Sequence, residues 1–182
     1  MFGAADGMKD SRKGADLLLL ALRELTSRTD VSPLADLVLV VFGGDRRQHT
    51  PDSGVTVHQV GRLLDDARLR LLYSAADVFV IPSRQDNLPN TGIEAHACGT
   101  PVVAFDTGGL PDIVEHRRTG ALAPPFDPAA LAREIQWVLE DPERRRRLGM
   151  AARARAETLW APERIARLYA EVYADATLTP SR

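Results

Sequence analysis

The chain has few of the residues that support covalent cross-links and metal sites. It has one cysteine, Cys98, and four histidines among 182 residues, so it offers neither an internal disulfide framework nor a cysteine and histidine metal cluster. A lone cysteine fits a reducing compartment, and we expect a cytoplasmic location. Neither sign of charge is in excess, because 23 basic side chains nearly balance 25 acidic ones. This balance gives no global field that would attract nucleic acid or an anionic membrane.

Long apolar runs are also missing. No run approaches the roughly 20 residues that a membrane helix needs, and the opening MFGAADGMKD is too short and too polar for a signal sequence. We therefore expect no transmembrane segment. The length predicts one compact domain over residues 1–182. The first three residues resemble a strand end that runs into a loop, so we expect the chain to be part of something longer.

Strand and helix patterns alternate through the first two thirds of the chain. Residues 37–42 are a continuous apolar run ended by two glycines, as in a strand buried on both faces. Further strands are predicted at 55–60, 78–81, 101–105 and 120–122, and helices at 14–27, 65–76, from near residue 90 to 98, and 111–114. Three helices follow, the last near 161–174. This order predicts an α/β fold with a doubly wound, mainly parallel sheet, helices on both faces and C-terminal helices.

Three loops are expected to meet at the carboxyl edge of this sheet, at residues 3–14, 61–63 and 82–91. The first loop carries Lys9, Arg12 and Lys13 just before a helix, which places cations beside the free backbone N–H groups of a helix N-terminus. Such a combination binds anions. The third loop runs into another helix, with Asn90 and Thr91 near its start.

Two carboxylates flank the turn of this third loop, in the stretch PSRQDNLPNTGIEAHACGTPVVAFDTGGLPD. Asp86 precedes the turn and Glu94 follows it, inside the first turns of the helix. Carboxylates close to a phosphate site are well placed if they accept hydrogen bonds from hydroxyl groups. One diol on each side of a diphosphate would explain both acids. The residues thus point to a nucleoside diphosphate sugar.

The motifs together resemble the donor-binding half of retaining family 4 (group 1) glycosyltransferases, which have the GT-B fold. The likeness includes LYSAADVFVIPS, EAHACGTPVVAF, GGLPDIV and PPFDPAALA, and it covers almost the whole chain in the family's order. In that family two glutamates separated by seven residues form the hallmark, and Asp86 and Glu94 have that spacing. The resemblance implies that Glu94 holds the ribose hydroxyls and that Asp86 holds hydroxyls of the donor sugar.

The resemblance also implies roles for the loop residues. Lys13 and Arg12 would stabilise the leaving diphosphate, which would make them, with Asp86, the catalytic group. The remaining donor-binding positions are Gly61, Arg62 and Leu63 beside the base, and the amides of Leu88, Asn90 and Thr91 beside sugar and diphosphate.

The sequence departs from the family pattern in two places. Asp86 is one methylene shorter than the usual glutamate, and Asn87-Leu88-Pro89 replaces the usual Gly-Phe-Gly. At the end of the first strand FGA stands where the family has Gly-Arg, so the family's arginine has no counterpart. The identity of the sugar and the detail of the phosphate contacts therefore depend on this chain's own residues.

The resemblance implies a glycosyltransferase that uses a UDP-, GDP- or ADP-sugar and no cofactor or metal. The acceptor domain would lie in an N-terminal half that this chain lacks, and any peripheral membrane contact would come through that half. The chain alone is then expected to bind nucleotide and to transfer nothing. Two alternatives stay open, a GT-B type sugar-nucleotide epimerase or phosphorylase and a non-catalytic nucleotide-sugar-binding module.

Other motifs have simpler interpretations. Gly108-Gly109 is either a tight turn or a close approach of backbone to the ligand. His96 and Cys98 are expected to be packing residues, and Arg144 to Arg147 a solvated helix face.

Overall fold

The computed structural model describes residues 1–3, 8–27, 36–45 and 54–178. Within these ranges the strands are β1 (Phe2–Gly3), β2 (Val38–Phe42), β3 (Thr56–Gly61), β4 (Phe79–Ile81), β5 (Val102–Phe105) and β6 (Gly120–Ala123). The helices are α1 (Ala15–Ser27), α2 (Asp66–Ser74), α3 (Asn90–Ala97), α4 (Leu110–Ile113), α5 (Pro128–Leu139), α6 (Pro142–Leu159) and α7 (Pro162–Leu178). The predicted α/β alternation is confirmed, and each bound lies within four residues of its prediction. Part of the predicted loop at 3–14 lies outside the described residues.

The strands form two parallel ladders, β1-β2-β3 and β4-β5-β6. Backbone hydrogen bonds from the first residue join them, because the Met1 amine donates to the Val78 carbonyl at 2.7 Å and the Val80 N–H donates to the Met1 carbonyl at 2.8 Å. The strands therefore lie in the order β3-β2-β1-β4-β5-β6. In this doubly wound order the direction of winding reverses between β1 and β4, and ligands bind at the carboxyl ends of the strands around that point.

Both faces of the sheet are covered, which explains why its central strands are apolar throughout. Val80, Val103 and Phe105 face one cluster, packed under α1 and α5. Their neighbours in the strands, including Phe79 and Val102, face a second cluster with residues of α2, α3 and α4. All four residues of β5 are buried. Parallel sheets of this kind are stable only when helices cover both faces.

Aspartate side chains cap the starts of α2, α5 and α6. The side chains of Asp65, Asp127 and Asp141 accept hydrogen bonds from the first-turn N–H groups of α2, α5 and α6. Proline occupies the first position of α5 and α6, where its missing N–H costs no hydrogen bond. These local signals are strong, and the aspartate and proline pairs fix the starts of α5 and α6 to the residue.

The last helix lies outside the core. Along α7 the side chains of Leu168, Tyr169, Val172 and Tyr173 are between 43% and 66% exposed. The apolar side chains of this helix are therefore not buried against the core. Among the described residues no helix combines the length and the hydropathy needed to cross a membrane.

Candidate functional site

The loop after β1 and the loop after β4 are tied together at the reversal point of the sheet. The Arg84 N–H donates to the Arg12 carbonyl at 2.8 Å, and the Arg84 guanidinium donates to the Ser11 carbonyl at 2.9 Å. The same guanidinium forms a two-pronged ion pair with Asp16 in the first turn of α1, at 2.7 and 2.6 Å. These contacts hold the start of α1 beside the end of β4. No local sequence pattern predicts the Arg84 contacts, because Arg84 and Asp16 are 68 residues apart.

Gly14 allows the two loops to approach this closely. It has φ of 66°, and a Cβ atom at this position would lie 1.8 Å from the Pro82 carbonyl oxygen. Both the left-handed conformation and the contact exclude any larger residue. The glycine before α1 therefore sets the distance between Lys13 and the third loop.

Lys13 and Asp86 form an ion pair at this junction. The Lys13 Nζ lies 2.7 Å from the Asp86 Oδ2, and the two side chains are 32% and 13% exposed. The Ser83 hydroxyl, which is buried, donates to the same oxygen at 3.0 Å. The predicted diphosphate cation and the predicted sugar-binding carboxylate are thus direct neighbours. Spacing along the sequence identified both residues but could not show this contact or the part of Ser83.

Arg12 does not join this pair. Its side chain is 70% exposed, and its guanidinium donates to both carboxylate oxygens of Asp10, at 3.1 and 2.9 Å. Asp10 also accepts from the Arg12 N–H as the cap of a short 3-10 turn, Ser11–Lys13. Hydrogen bonds from the Arg12 side chain and backbone lower the pKa of Asp10 below its usual value. Lys9 is exposed. Lys13 is thus the cation of this loop that contacts Asp86 in the third loop.

The turn that carries Asp86 packs on Gly108 and Gly109. The Gly109 N–H donates to the Asp86 carbonyl at 3.1 Å, and a Cβ atom on Gly109 would lie 1.4 Å from the Asn87 carbonyl oxygen. A Cβ on Gly108 would lie 2.3 Å from the Asp86 carbonyl. The two glycines therefore permit a close approach of backbone to backbone. The pair also forms a tight turn, which confirms the first of the two interpretations, because the Leu110 N–H donates to the Thr107 carbonyl at 3.2 Å. The packing of this turn against residues 86 and 87 positions the loop that carries Asp86.

Helix α3 begins at Asn90 and carries Glu94 in its second turn. Pro89 is the cap residue, and no side chain in the described part of the chain caps the helix start. Asn90 is exposed, Thr91 is half-buried and Leu88 is 43% exposed, so the amides predicted to bind the donor lie at an open helix end. A helix N-terminus with free N–H groups attracts phosphate and other anions.

Glu94 accepts a hydrogen bond from Tyr73 of α2. The Tyr73 hydroxyl donates to the Glu94 Oε2 at 2.9 Å, and Tyr73 is 1% exposed. Burial, followed by the charge of Glu94, raises the pKa of Tyr73 well above its usual value, so its proton is retained. Tyr73 and Glu94 are 21 residues apart, so no local pattern predicts this hydrogen bond. The signal that the sequence offers is a tyrosine among the apolar residues of a predicted helix, because a buried phenol hydroxyl needs a hydrogen-bond partner.

The predicted base-binding residues lie farther along the same edge. Gly61 ends β3 with φ of 78°, and its carbonyl accepts from the Gly43 N–H at 3.0 Å. Arg62 is exposed and Leu63 half-buried just beyond it. Two strands separate this segment from β4, so its backbone faces the same edge as α3 without contacting the Lys13 and Asp86 pair.

A cavity of about 420 Å³ lies at the opposite edge of the sheet, at the amino ends of β2 and β4. Its lining is mostly aliphatic and includes Leu18, Leu39 and Ile135. Doubly wound sheets bind ligands at the carboxyl ends of their strands, so this cavity is not the candidate site. In the described residues, no group of three histidine, cysteine, aspartate or glutamate side chains is arranged to hold a metal ion.

Comparison with known proteins shows which family the chain resembles. Residues 2–141 match the model of the family described as glycosyl transferases group 1. The chain is 43% identical over 105 residues to a D-inositol 3-phosphate glycosyltransferase of Streptomyces bingchenggensis, covering 57% of this chain and 23% of the relative. It is 34% identical over 162 residues to a GDP-mannose-dependent alpha-(1-6)-phosphatidylinositol monomannoside mannosyltransferase of Mycolicibacterium smegmatis, covering 82% of this chain and 41% of the relative.

Among solved structures, a sucrose-phosphate synthase from Thermosynechococcus elongatus superposes with a TM-score of 0.78 at 31% identity. The superposition covers 97% of this chain and 45% of that protein. The chain therefore spans less than half the length of each of these three relatives.

Proposed function

This chain belongs to the group 1 glycosyl transferases, and from that premise we propose that it binds the nucleotide-sugar donor of a retaining enzyme. The observation that carries the proposal is the convergence of Lys13, Asp86 and the open start of α3 at the reversal point of the sheet. A cation, a carboxylate that can accept hydrogen bonds from a sugar, and free helix N–H groups lie together there. A nucleoside diphosphate sugar requires all three.

Lys13 and the start of α3 would bind the diphosphate. As the bond between sugar and phosphate breaks, negative charge develops on the leaving diphosphate. An ammonium group and fixed N–H dipoles stabilise that charge with little reorganisation. Arg12 would contribute only after releasing Asp10, so we assign the larger part to Lys13.

Asp86 would accept hydrogen bonds from the donor sugar, and Glu94 from the ribose. Without ligand the Asp86 carboxylate is held by Lys13 and Ser83. Both contacts fall on Oδ2, so Oδ1 is open to the sugar among the described residues, and a diphosphate that binds Lys13 would leave Oδ2 held by Ser83 alone. Gly61, Arg62 and Leu63 would lie beside the base.

The acceptor is proposed to bind a second half of the enzyme. Each of the three relatives is more than twice as long as the segment matched here. The curated relative named for its dependence on GDP-mannose makes GDP-sugars the first donors to test. Incubation of the isolated chain with donor and candidate acceptors is expected to give no transfer. Robust turnover would contradict the placement of the acceptor site elsewhere.

Calorimetric titration tests donor binding directly. We expect this chain to bind one of UDP, GDP and ADP, and the corresponding sugar nucleotide more tightly. Glu94→Ala should weaken nucleotide binding at least tenfold, about 1.4 kcal/mol, because it removes a charged acceptor for the ribose hydroxyls. The same substitution at Glu163, on the exposed α7, is the matched control and should leave affinity unchanged. Equal affinities for the wild type and the Glu94 variant would refute the ribose role.

A further inference from the structure

We propose that Tyr73 is a positioning residue for donor binding, acting through Glu94 and not on the ligand itself. This inference rests on the proposed function of Glu94. The Tyr73 hydroxyl holds one carboxylate oxygen at 2.9 Å, and in the described part of the chain no group donates to the other, Oε1. A carboxylate that is fixed by one oxygen and open at the other is arranged to accept hydroxyl groups from a ligand.

The phenol ring is fixed on two sides by other aromatic rings. It meets Phe42, at the end of β2, edge to face with centroids 5.5 Å apart, and Phe79 of β4 in the same way at 5.4 Å. The strands thus determine where the hydroxyl lies. Aromatic pairs of this geometry are specific in direction, so the ring cannot tilt without losing both contacts.

The backbone of Tyr73 is fixed as well. Its carbonyl accepts a hydrogen bond from the buried Thr100 hydroxyl at 2.7 Å. Thr100 lies just before β5, which begins at Val102. The tyrosine therefore connects α2, β2, β4 and the segment that leads into β5. Because these contacts fix the Tyr73 hydroxyl relative to the sheet, the hydroxyl fixes the position of the Glu94 carboxylate as well.

Glu94 itself needs such support. Its side chain is flexible, and fixing it in one rotamer has an entropic cost that would otherwise fall on ligand binding. Tyr73 is a neutral donor to a charged acceptor, which is among the stronger kinds of hydrogen bond in proteins. The bond orders the carboxylate before the ligand arrives without neutralising its charge.

The Tyr73→Phe variant tests this inference, because it removes the hydroxyl and keeps the ring. Calorimetry is carried out with whichever of UDP, GDP and ADP the wild type binds, and with the 2′,3′-dideoxy form of that nucleotide. We expect the variant to bind the ribonucleotide about tenfold more weakly. It should bind the dideoxy form as tightly as the wild type does, since that ligand has no ribose hydroxyls to donate hydrogen bonds to Glu94. Tyr169→Phe, at an exposed position on α7, is the matched control.

A cycle with Glu94→Ala, which removes the acceptor of the Tyr73 hydroxyl, separates positioning from general stability. In the Glu94→Ala background, Tyr73→Phe should have no further effect on nucleotide affinity. If Tyr73→Phe weakens both nucleotides equally, or weakens neither, the positioning role is refuted. If the wild type binds no nucleotide, the proposed function fails, and a crystal structure of Tyr73→Phe decides the positioning role alone. A displaced Glu94 carboxylate would then support it, and an unmoved one would overturn it.

Discussion

Acidification should destabilise the chain through one buried histidine. His96 lies in α3 and is 0% exposed, and neither ring nitrogen has a hydrogen-bond partner in the described part of the chain. Burial and, to a smaller extent, the positive charge of Arg155 lower the pKa of His96 to about 4. The nearby backbone of Thr119 acts in the opposite direction, although it does not form a hydrogen bond with the ring. The imidazole is therefore neutral in the folded chain at pH values where an unfolded chain would begin to protonate it.

The direction of the effect follows from the two protonation states. An ordinary histidine has a pKa of 6.5, so the unfolded chain binds a proton below that pH and the folded chain does not until about pH 4. The contribution of the neutral His96 to the free energy of unfolding is fully present above pH 6.5 and is lost as pH falls towards 4. With about 1.4 kcal/mol for each pH unit between the two pKa values, the full loss is about 3 kcal/mol, and about 2 kcal/mol of it falls between pH 7 and pH 5.

Urea unfolding at pH 7, 6 and 5 measures this loss. Other carboxylates also titrate near pH 5, so the informative quantity is the difference between the wild type and His96→Leu, which cannot protonate. The free energy of unfolding of the wild type should fall by about 2 kcal/mol more than that of the variant. The same substitution at His58, an exposed residue of β3, should keep the wild-type pH dependence. Parallel pH profiles for wild type and His96→Leu would refute the reasoning.

Two further predictions concern the loops of the candidate site. Lys13→Ala should weaken binding of a nucleoside diphosphate about tenfold and of the monophosphate less, by calorimetry, because it removes the cation that pairs with Asp86; equal losses would contradict a contact with the diphosphate. Gly109→Ala should reduce the free energy of unfolding by about 1–3 kcal/mol, since its Cβ would collide with the Asn87 carbonyl. Backbone strain does not contribute to this loss, because Gly109 has φ of −91°, which alanine also adopts; an unchanged free energy of unfolding in urea would contradict the collision.

The parts of the fold that the sequence predicts well depend on local signals. Asp127 and Asp141 each precede a proline, and α5 and α6 begin at those prolines. Apolar runs bounded by glycine or proline predict β2 and β4 to within a residue. Such signals act over a few residues, so no tertiary information is needed to interpret them.

The parts that sequence could not predict depend on contacts between distant segments. Arg84 and Asp16 are 68 residues apart, and Lys13 and Asp86 are 73 apart, yet both pairs form at one junction of two loops. Tyr73 and Glu94 show the same limit at a separation of 21 residues, because nothing local to α2 predicts a hydrogen bond to α3. The fold class constrains which strand ends are neighbours, but side-chain rotamers decide which atoms meet.

The two carboxylates of the site are held by different kinds of partner, and this difference assigns them different tasks. Both contacts of Asp86, from the Lys13 ammonium and the buried Ser83 hydroxyl, fall on Oδ2, so this carboxylate already shares its charge with a cation. Glu94 is held by the neutral Tyr73 hydroxyl, and no cation of the described residues pairs with it. In each carboxylate the other oxygen accepts no hydrogen bond from the described residues. Ribose hydroxyls should therefore bind the unpaired charge of Glu94 more strongly than sugar hydroxyls bind Asp86. Affinity should depend mainly on Glu94, and discrimination among sugars on Asp86, where the side chain is also shorter than the family's usual glutamate.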